Sequence, residues 1–267
     1  QHQPHKPPAT DPEMIPVYTE GLVWFLLLLG PFLFLQRSLH REVQAFFLLL
    51  TRRQDISIVI FSLLFFPGVL LHETSHYLMA RLLNVRTGRF SIIPRPLPDG
   101  HLQLGYVETA KVDFLRDSLI GFAPLLVGGG FVIFAGLAHL GLDGLWLAWT
   151  DGSTTSLLQG IRQSYQMEDF WLWFYLAFTV SSTMFPSSSD RRAWLPLGIV
   201  LLALFIIGAA LGAGPWMAEN LAPVLNSAFR TLVLAIGISM FLHLVLLPVV
   251  WGLRVILSKI TGLRVQY

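Results

Sequence analysis

Six blocks of apolar residues follow one another along the chain, separated by shorter polar stretches. They run from about Gly21 to Leu35, Ile56 to Val85, Leu119 to Leu142, Phe170 to Pro186, Ala193 to Leu211 and Thr231 to Ile256. A helix needs about 20 mostly apolar residues to cross the hydrocarbon core of a bilayer. The pattern therefore predicts an all-α polytopic membrane protein with about six transmembrane helices.

The connection between the second and third blocks has a different pattern. Residues 84–118 contain several glycines and prolines between short alternating runs, such as Arg89–Ile93 and His101–Val107. Turn residues between β-prone runs predict one or two hairpins, and thus a small β-sheet insertion. Residues 1–16 hold five prolines and two histidines and are predicted to be a flexible tail. Residues 17–267 are predicted to form a single membrane domain.

Composition and charge support a membrane environment. The chain is 54% hydrophobic and 13% charged, whereas soluble domains carry about 25% charged residues. The Lys and Arg residues lie in short groups beside the apolar blocks, where they determine topology, so the net charge of +2 does not indicate nucleic acid. Their distribution predicts both termini in the cytoplasm, and we expect an integral protein of a bacterial or archaeal cell membrane whose partner is the lipid bilayer.

A metal-ligand pattern lies within the second block, in the sequence His72-Glu73-Thr74-Ser75-His76. Residues four apart lie on one face of a helix, so His72 and His76 can bind one zinc ion. Glu73 stands next to them as a candidate general base. Ionisable residues inside a membrane span are costly and usually mark function. The chain has no cysteine, so any further ligand must be His, Asp or Glu.

A third protein ligand must come from elsewhere, because catalytic zinc keeps three protein ligands and one open position. Asp190 is the best candidate, because Pro186 can break the fourth helix and turn the following segment back into the bundle. The other candidates are acidic residues near the predicted spans: Glu108, Asp113, Glu168 and Asp169. His243, embedded in the last block, is interpreted as an interhelical hydrogen-bond partner.

The motif resembles that of the site-2 protease family of intramembrane zinc proteases. Gly121-Phe122-Ala123-Pro124 resembles the start of that family's next core helix, and 182–190 resembles its second motif, although Ser189-Asp190-Arg191 stands where the family has Leu-Asp-Gly. The resemblance covers about 56–194, and implies a catalytic core there without a PDZ domain. It implies Zn²⁺ on His72, His76 and Asp190, with Glu73 as general base.

The resemblance further implies hydrolysis of a peptide bond in or near a transmembrane segment of a membrane-protein substrate. Ser182 or Thr183 could contact the substrate or the developing oxyanion. Two alternatives remain. One is a non-catalytic membrane subunit that serves as a partner-binding scaffold, which the altered second motif suggests. The other is a different membrane zinc protease with Glu108 as the third ligand.

Overall fold

A computed structural model describes residues 20–92, 95–96, 102–103, 105–150 and 152–263, so the predicted tail at 1–16 lies outside the described residues. The α-helices are α1 (Glu20–Thr51), α2 (Gln54–Leu82), α3 (Phe114–Phe134), α4 (Leu142–Thr150), α5 (Thr154–Tyr165), α6 (Phe170–Thr183), α7 (Trp194–Gly208), α8 (Gly214–Trp216) and α9 (Ala222–Thr261). Three π-helical segments, Ala135–His139, Ala209–Ala213 and Met217–Leu221, follow α3, α7 and α8. The all-α character predicted from the sequence is confirmed.

The insertion between α2 and α3 contains short antiparallel strand pairs. Strand β1 (Thr87–Ser91) pairs with β4 (Tyr106–Thr109), and β2 (Arg95–Pro96) pairs with β3 (Leu102–Gln103). The register of the first pair changes between Thr87 and Phe90, so β1 contains one extra residue. The predicted β-rich insertion is thus present, and the β2–β3 pair lies between β1 and β4 in the sequence.

Within the described ranges, four helical stretches are long and apolar enough to cross a membrane: Glu20–Thr51, Gln54–Leu82, Phe114–His139 and Trp194–Thr261. These stretches support a membrane protein. The last one contains the fifth and sixth predicted blocks together. Helix α6, in the fourth block, has 14 residues, fewer than the about 20 that a span requires. The number of six spans therefore stays a prediction.

The chain reverses direction between α7 and α9. Gly212 has a φ of 89°, a left-handed conformation that glycine adopts without steric cost. A Cβ atom on Gly208 would lie 3.4 Å from the sulfur of Met217, although residues nine apart in a straight helix are separated by about 13 Å. The two predicted blocks are therefore separated by a sharp turn at Gly212.

Helices α1 and α9 run parallel to each other. The N–H of Gly21 donates to Oδ1 of Asn226 at 2.8 Å, and further along both helices Arg254 pairs with Glu42, with side chains only 19% and 15% exposed. A parallel course places the described ends of the chain, in α1 and α9, at opposite ends of the helix pair. This arrangement does not support the prediction that both termini lie in the cytoplasm.

Helix α1 extends to Thr51, well past the end of the first predicted block at Leu35. Polar residues interrupt the apolar run after Leu35, but the helix continues because Leu39 and Val43 are buried in a cluster with aromatic side chains of α2 and α6. Packing of one helix face thus supports the continuation of α1 past the first apolar block. A second, larger cluster joins α1, α3, α6 and α9 around Phe32, with residues such as Leu242.

Helices α2 and α6 meet at Gly68. A Cβ atom at this position would lie 2.2 Å from the carbonyl oxygen of Thr179, so only glycine allows this approach of the two backbones. Tyr175 of α6 also donates its hydroxyl hydrogen to the carbonyl oxygen of Leu64 at 2.9 Å. The two helices are therefore held side by side over the segment that precedes His72.

We expect Gly68→Ala to lower the free energy of unfolding by about 1–3 kcal/mol, because overpacking forces the backbones apart. The measurement is the thermal unfolding midpoint of purified protein in detergent. Gly237→Ala in α9 is the matched control, since among the described residues no heavy atom outside the adjacent backbone of α9 itself lies within 4 Å of the added Cβ. A midpoint for Gly68→Ala equal to that of Gly237→Ala would show that the close approach is not needed.

Candidate metal centre

His72, His76 and Asp190 come together where α2 passes the segment after α6. Their ligand atoms all lie within 4.8 Å of one another. The two Nε2 atoms are 3.1 Å apart; Nε2 of His72 is 3.7 Å from Oδ2 of Asp190, and Nε2 of His76 is 3.4 Å from Oδ1. All three side chains are largely buried, at 12%, 7% and 17% exposure. The cluster could therefore hold a metal ion.

The orientation of both imidazoles is fixed by backbone carbonyl groups. Nδ1 of His72 lies 2.6 Å from the carbonyl oxygen of Thr183, and Nδ1 of His76 lies 2.8 Å from that of Ile120. A carbonyl oxygen only accepts hydrogen bonds, so both Nδ1 atoms must carry the hydrogen. In the neutral rings both Nε2 atoms are then acceptors, and they face each other across 3.1 Å. Two acceptors this close are stabilised when a cation, either a proton or a metal ion, lies between them.

The end of α6 explains why the Thr183 carbonyl is available. In a continued helix this carbonyl would accept the N–H of Ser187, four residues on. Pro186 lacks an N–H and opposes continuation of the helix, and α6 ends at Thr183. The Ser187 N–H instead donates to Oδ2 of Asp190 at 2.7 Å. The helix end thus leaves one acceptor for His72 and one donor for Asp190.

Asp190 is held in place from several sides. Its Oδ2 atom accepts a second hydrogen bond from the Ser187 hydroxyl at 2.6 Å, and its carbonyl oxygen would lie 2.0 Å from a Cβ atom on Gly121. Arg192 forms two hydrogen bonds of 2.9 and 3.0 Å with Asp117 in the first turn of α3. These contacts fasten the segment after α6 to α3.

The Asp190 carboxylate is ionised, as a metal ligand must be. Burial alone would raise its pKa, but hydrogen bonding to His72 and His76, the charge of His76 and the Ser187 hydrogen bond outweigh burial. The pKa of Asp190 therefore lies well below its usual range. In the metal-free site these hydrogen bonds place protons on the Nε2 side of His72 and His76, the position that a metal ion would take. The carboxylate and the two imidazoles thus converge on one point, as the ligands of a cation do.

The spacing of these atoms allows a shared metal ion. With bonds of about 2.0–2.2 Å to His and Asp ligands, a tetrahedral ion separates its ligand atoms by about 3.3–3.6 Å. The two Nε2 atoms are 3.1 Å apart, and they lie 3.4 and 3.7 Å from different oxygens of Asp190. The residues present therefore fit a metal ion held by two imidazoles and one carboxylate.

Glu73 lies beside this cluster and faces the insertion. Glu73 as a whole is 7% exposed, and its Oε1 atom would lie 3.0 Å from a Cβ atom on Gly105. Among the described residues, none donates a hydrogen bond to its carboxylate. Glu73, the three cluster residues and β4 all line one cavity of about 620 Å³. A carboxylate with free acceptor capacity thus opens into the same space as the cluster.

The structure places Ser182 and Thr183, the predicted contacts for substrate or oxyanion, in the wall of this cavity. Their hydroxyl hydrogens are already used. The Thr183 hydroxyl donates to the carbonyl oxygen of Thr179 at 3.0 Å. Nδ1 of His243 faces the carbonyl oxygen of Ser239 at 2.7 Å, so its Nε2 accepts from the Ser182 hydroxyl at 3.1 Å. The interhelical hydrogen bond predicted for His243 is confirmed.

The other acidic candidates lie outside the cluster. Glu108 lines the cavity, but its Oε2 atom accepts from the N–H of Arg89 at 3.2 Å. Asp113 caps α3 by accepting the N–H of Arg116 at 3.0 Å, and this hydrogen bond lowers its pKa. Glu168 and Asp169 precede α6, at the end of that helix away from Thr183.

Sequence reasoning missed Ser187, Gly105 and the carbonyl acceptors. A serine three residues before a predicted ligand Asp is a turn signal, so Ser187 could have been found. The partners of the two Nδ1 atoms are main-chain groups, which carry no residue-type signal. Comparisons of the chain with protein-family models, with curated proteins and with solved structures gave no match.

We expect Ser187→Ala to weaken binding of a divalent metal probe such as Co²⁺ by about 10–100-fold, because residues that orient ligands typically contribute this much. The substitution removes the hydroxyl donor to Asp190 but keeps the N–H donor. Ser188→Ala is the matched control, since Ser188 lines the same cavity. Titration of Co²⁺ by its visible absorption measures both, and equal affinities would contradict the assigned role.

Proposed function

We propose that this protein is an intramembrane zinc metalloprotease that cleaves a peptide bond in or near a transmembrane segment of a membrane protein. The observation that carries the proposal is the pair of Nε2 atoms 3.1 Å apart, both made acceptors by their carbonyl-bound Nδ1 atoms and joined by an ionised Asp190. Zinc suits a site of two imidazoles and one carboxylate with an open fourth position. The resemblance of the motif to the site-2 protease family agrees with this assignment.

His72, His76 and Asp190 would hold the zinc. When bound, the ion supplies Lewis-acid polarisation of a carbonyl group and lowers the pKa of water toward neutrality. Glu73 would act as the general base, accepting a proton from water at a carboxylate oxygen and delivering it to the leaving amine. The free acceptor capacity of Glu73 and its place in the cavity wall support this role. Its burial limits access of bulk water to that proton.

An extended peptide could be held along β4. The N–H of Ala110 donates to the carbonyl oxygen of Arg86 at 3.0 Å, and Thr109 stands opposite Thr87 in the same register. In an antiparallel pair hydrogen-bonded and non-hydrogen-bonded positions alternate, so the N–H groups of Thr109 and Val107 point away from β1. These residues line the cavity, and unpaired strand edges bind peptides by adding a strand.

The central test is Glu73→Gln, assayed for zinc content and for cleavage of a model transmembrane substrate in proteoliposomes. We expect the variant to keep zinc and to lose about 10²–10⁴-fold in cleavage rate, because the amide cannot accept the proton. Zinc content by mass spectrometry and the cleavage rate by gel assay are the two measurements. Zinc retention without cleavage by the unaltered protein would favour the scaffold subunit instead.

The ligand assignment is checked by Asp190→Ala and Glu108→Ala, measured separately. Loss of zinc in Asp190→Ala alone supports the assigned site. Loss in Glu108→Ala alone would instead favour the membrane zinc protease with Glu108 as third ligand. Zinc binding that survives both substitutions would overturn the proposed ligand set.

The strand-addition step is tested by Val107→Pro, which removes one N–H that points away from β1, at a position where proline is compatible with an edge strand. We expect at least a tenfold loss of kcat/KM for the transmembrane substrate, without loss of zinc. The variant cannot donate to the substrate carbonyl group, and a buried acceptor left without a donor costs about 1–3 kcal/mol. Val107→Ala, which keeps the N–H, is the control. Equal rates for the two variants would exclude strand addition at this edge.

A further inference from the structure

The carbonyl group that orients His76 belongs to a residue inside a helix. Ile120 lies in the second turn of α3, where a carbonyl oxygen at position i normally accepts the N–H of residue i+4. His76 nevertheless places Nδ1 2.8 Å from this oxygen, and the contact is buried. The question is therefore whether residue 124, four positions on, also donates an N–H to this oxygen.

Residue i+4 from Ile120 is Pro124, which lies inside α3 and has no N–H to donate. The carbonyl oxygen of Ile120 is consequently left without its helical donor. In a buried environment an acceptor without a donor is costly, and the Nδ1–H of His76 removes that cost. The Ile120 carbonyl oxygen, which Pro124 leaves without a helical donor, and the Nδ1–H of His76 thus satisfy each other.

The end of α6 shows a related arrangement, at a helix terminus rather than inside a helix. Pro186 is four residues beyond Ser182 and cannot donate to the Ser182 carbonyl oxygen. That oxygen instead accepts a hydrogen bond from Nε2 of Gln36 at 2.6 Å. At both prolines, the carbonyl group four residues earlier binds a side chain from another helix.

Pro248 provides the contrast. It lies inside α9, and the carbonyl group four residues earlier belongs to Leu244. Within the described part of the chain, no side chain donates to that carbonyl. A proline inside a helix therefore does not by itself recruit a side-chain donor, and the contact of His76 with Ile120 is an additional feature of this site.

We propose that Pro124 is a positioning residue for the metal centre. By withholding an N–H from the Ile120 carbonyl oxygen, Pro124 reserves this acceptor for Nδ1–H of His76 and so directs the Nε2 lone pair at the metal position. The inference rests on the proposed metal binding. It predicts that any residue other than proline at position 124 competes with His76 for Ile120, whatever its side chain.

The test compares Pro124→Ala and Pro124→Val with Pro248→Ala in the full-length protein. Alanine and valine both restore the N–H, and valine keeps much of the buried volume. We expect both Pro124 variants to bind Zn²⁺ about 10–100-fold more weakly, the usual effect of losing a group that orients a ligand. Pro248→Ala should bind it as the unaltered protein does. Affinity is measured by competition with a chromophoric chelator, alongside the thermal midpoint of the metal-free protein.

A second readout is the tautomer of His76 in the metal-free protein. In the metal-free unaltered protein, the ¹⁵N spectrum of His76 should show the Nδ1–H form, identified by its loss in His76→Gln. The Pro124 variants should show a mixture of the two tautomers.

Two results would overturn the proposal: the Nε2–H form of His76 in the unaltered protein, or Pro124 variants that bind Zn²⁺ with unchanged affinity. An equal loss in Pro248→Ala would also overturn it, because the effect would then be a general consequence of changing a helix proline. Failure of the unaltered protein to bind Zn²⁺ is a different result, since it removes the proposed function itself.

Discussion

The candidate centre depends on two main-chain carbonyl groups that have no helical donor. In a bilayer, each unsatisfied backbone acceptor costs several kcal/mol, because water is absent. The carbonyl groups of Thr183 and Ile120 meet this requirement by accepting Nδ1–H from His72 and His76. The same contacts turn both Nε2 atoms inward. The same two hydrogen bonds thus satisfy the backbone carbonyl groups and orient the imidazoles, so a change in one affects the other.

Close backbone approaches make this interaction possible. Gly68 allows α6 to lie against α2 one turn before His72, and Gly121 allows the segment carrying Asp190 to touch α3. A side chain at either glycine would displace an element that bears a ligand or its carbonyl partner. The Arg192–Asp117 pair adds a link at the exposed rim, where ion pairs contribute little to stability. The glycines therefore matter more than this ion pair for holding the three elements together.

The sequence predicted those features that depend on particular residue types or on a regular spacing of residues along a helix. The apolar blocks predicted the helical membrane class, and the i, i+4 histidines on one helix face predicted two members of the cluster. The suggestion that Pro186 turns Asp190 back into the bundle agrees with the observed cluster. The sequence could not predict the acceptors of His72 and His76, because every residue has a carbonyl group. Nor could it predict the parallel course of α1 and α9, which depends on tertiary contacts such as Gly21 with Asn226.

The hydroxyl groups of Ser182 and Thr183 already donate their hydrogens within the bundle, which limits how they could stabilise charge in the proposed peptide hydrolysis. Each hydroxyl has one hydrogen, and both hydrogens are donated to partners within the bundle. A developing oxyanion near them would meet lone pairs, which repel it, unless one of these hydrogen bonds is exchanged. If the Ser182 hydrogen bond were exchanged, Nε2 of His243 would lose its donor in a fully buried place, which is costly. In the proposed reaction, stabilisation of an oxyanion would therefore come mainly from a metal held by His72, His76 and Asp190 or from main-chain N–H groups, rather than from these two hydroxyl groups.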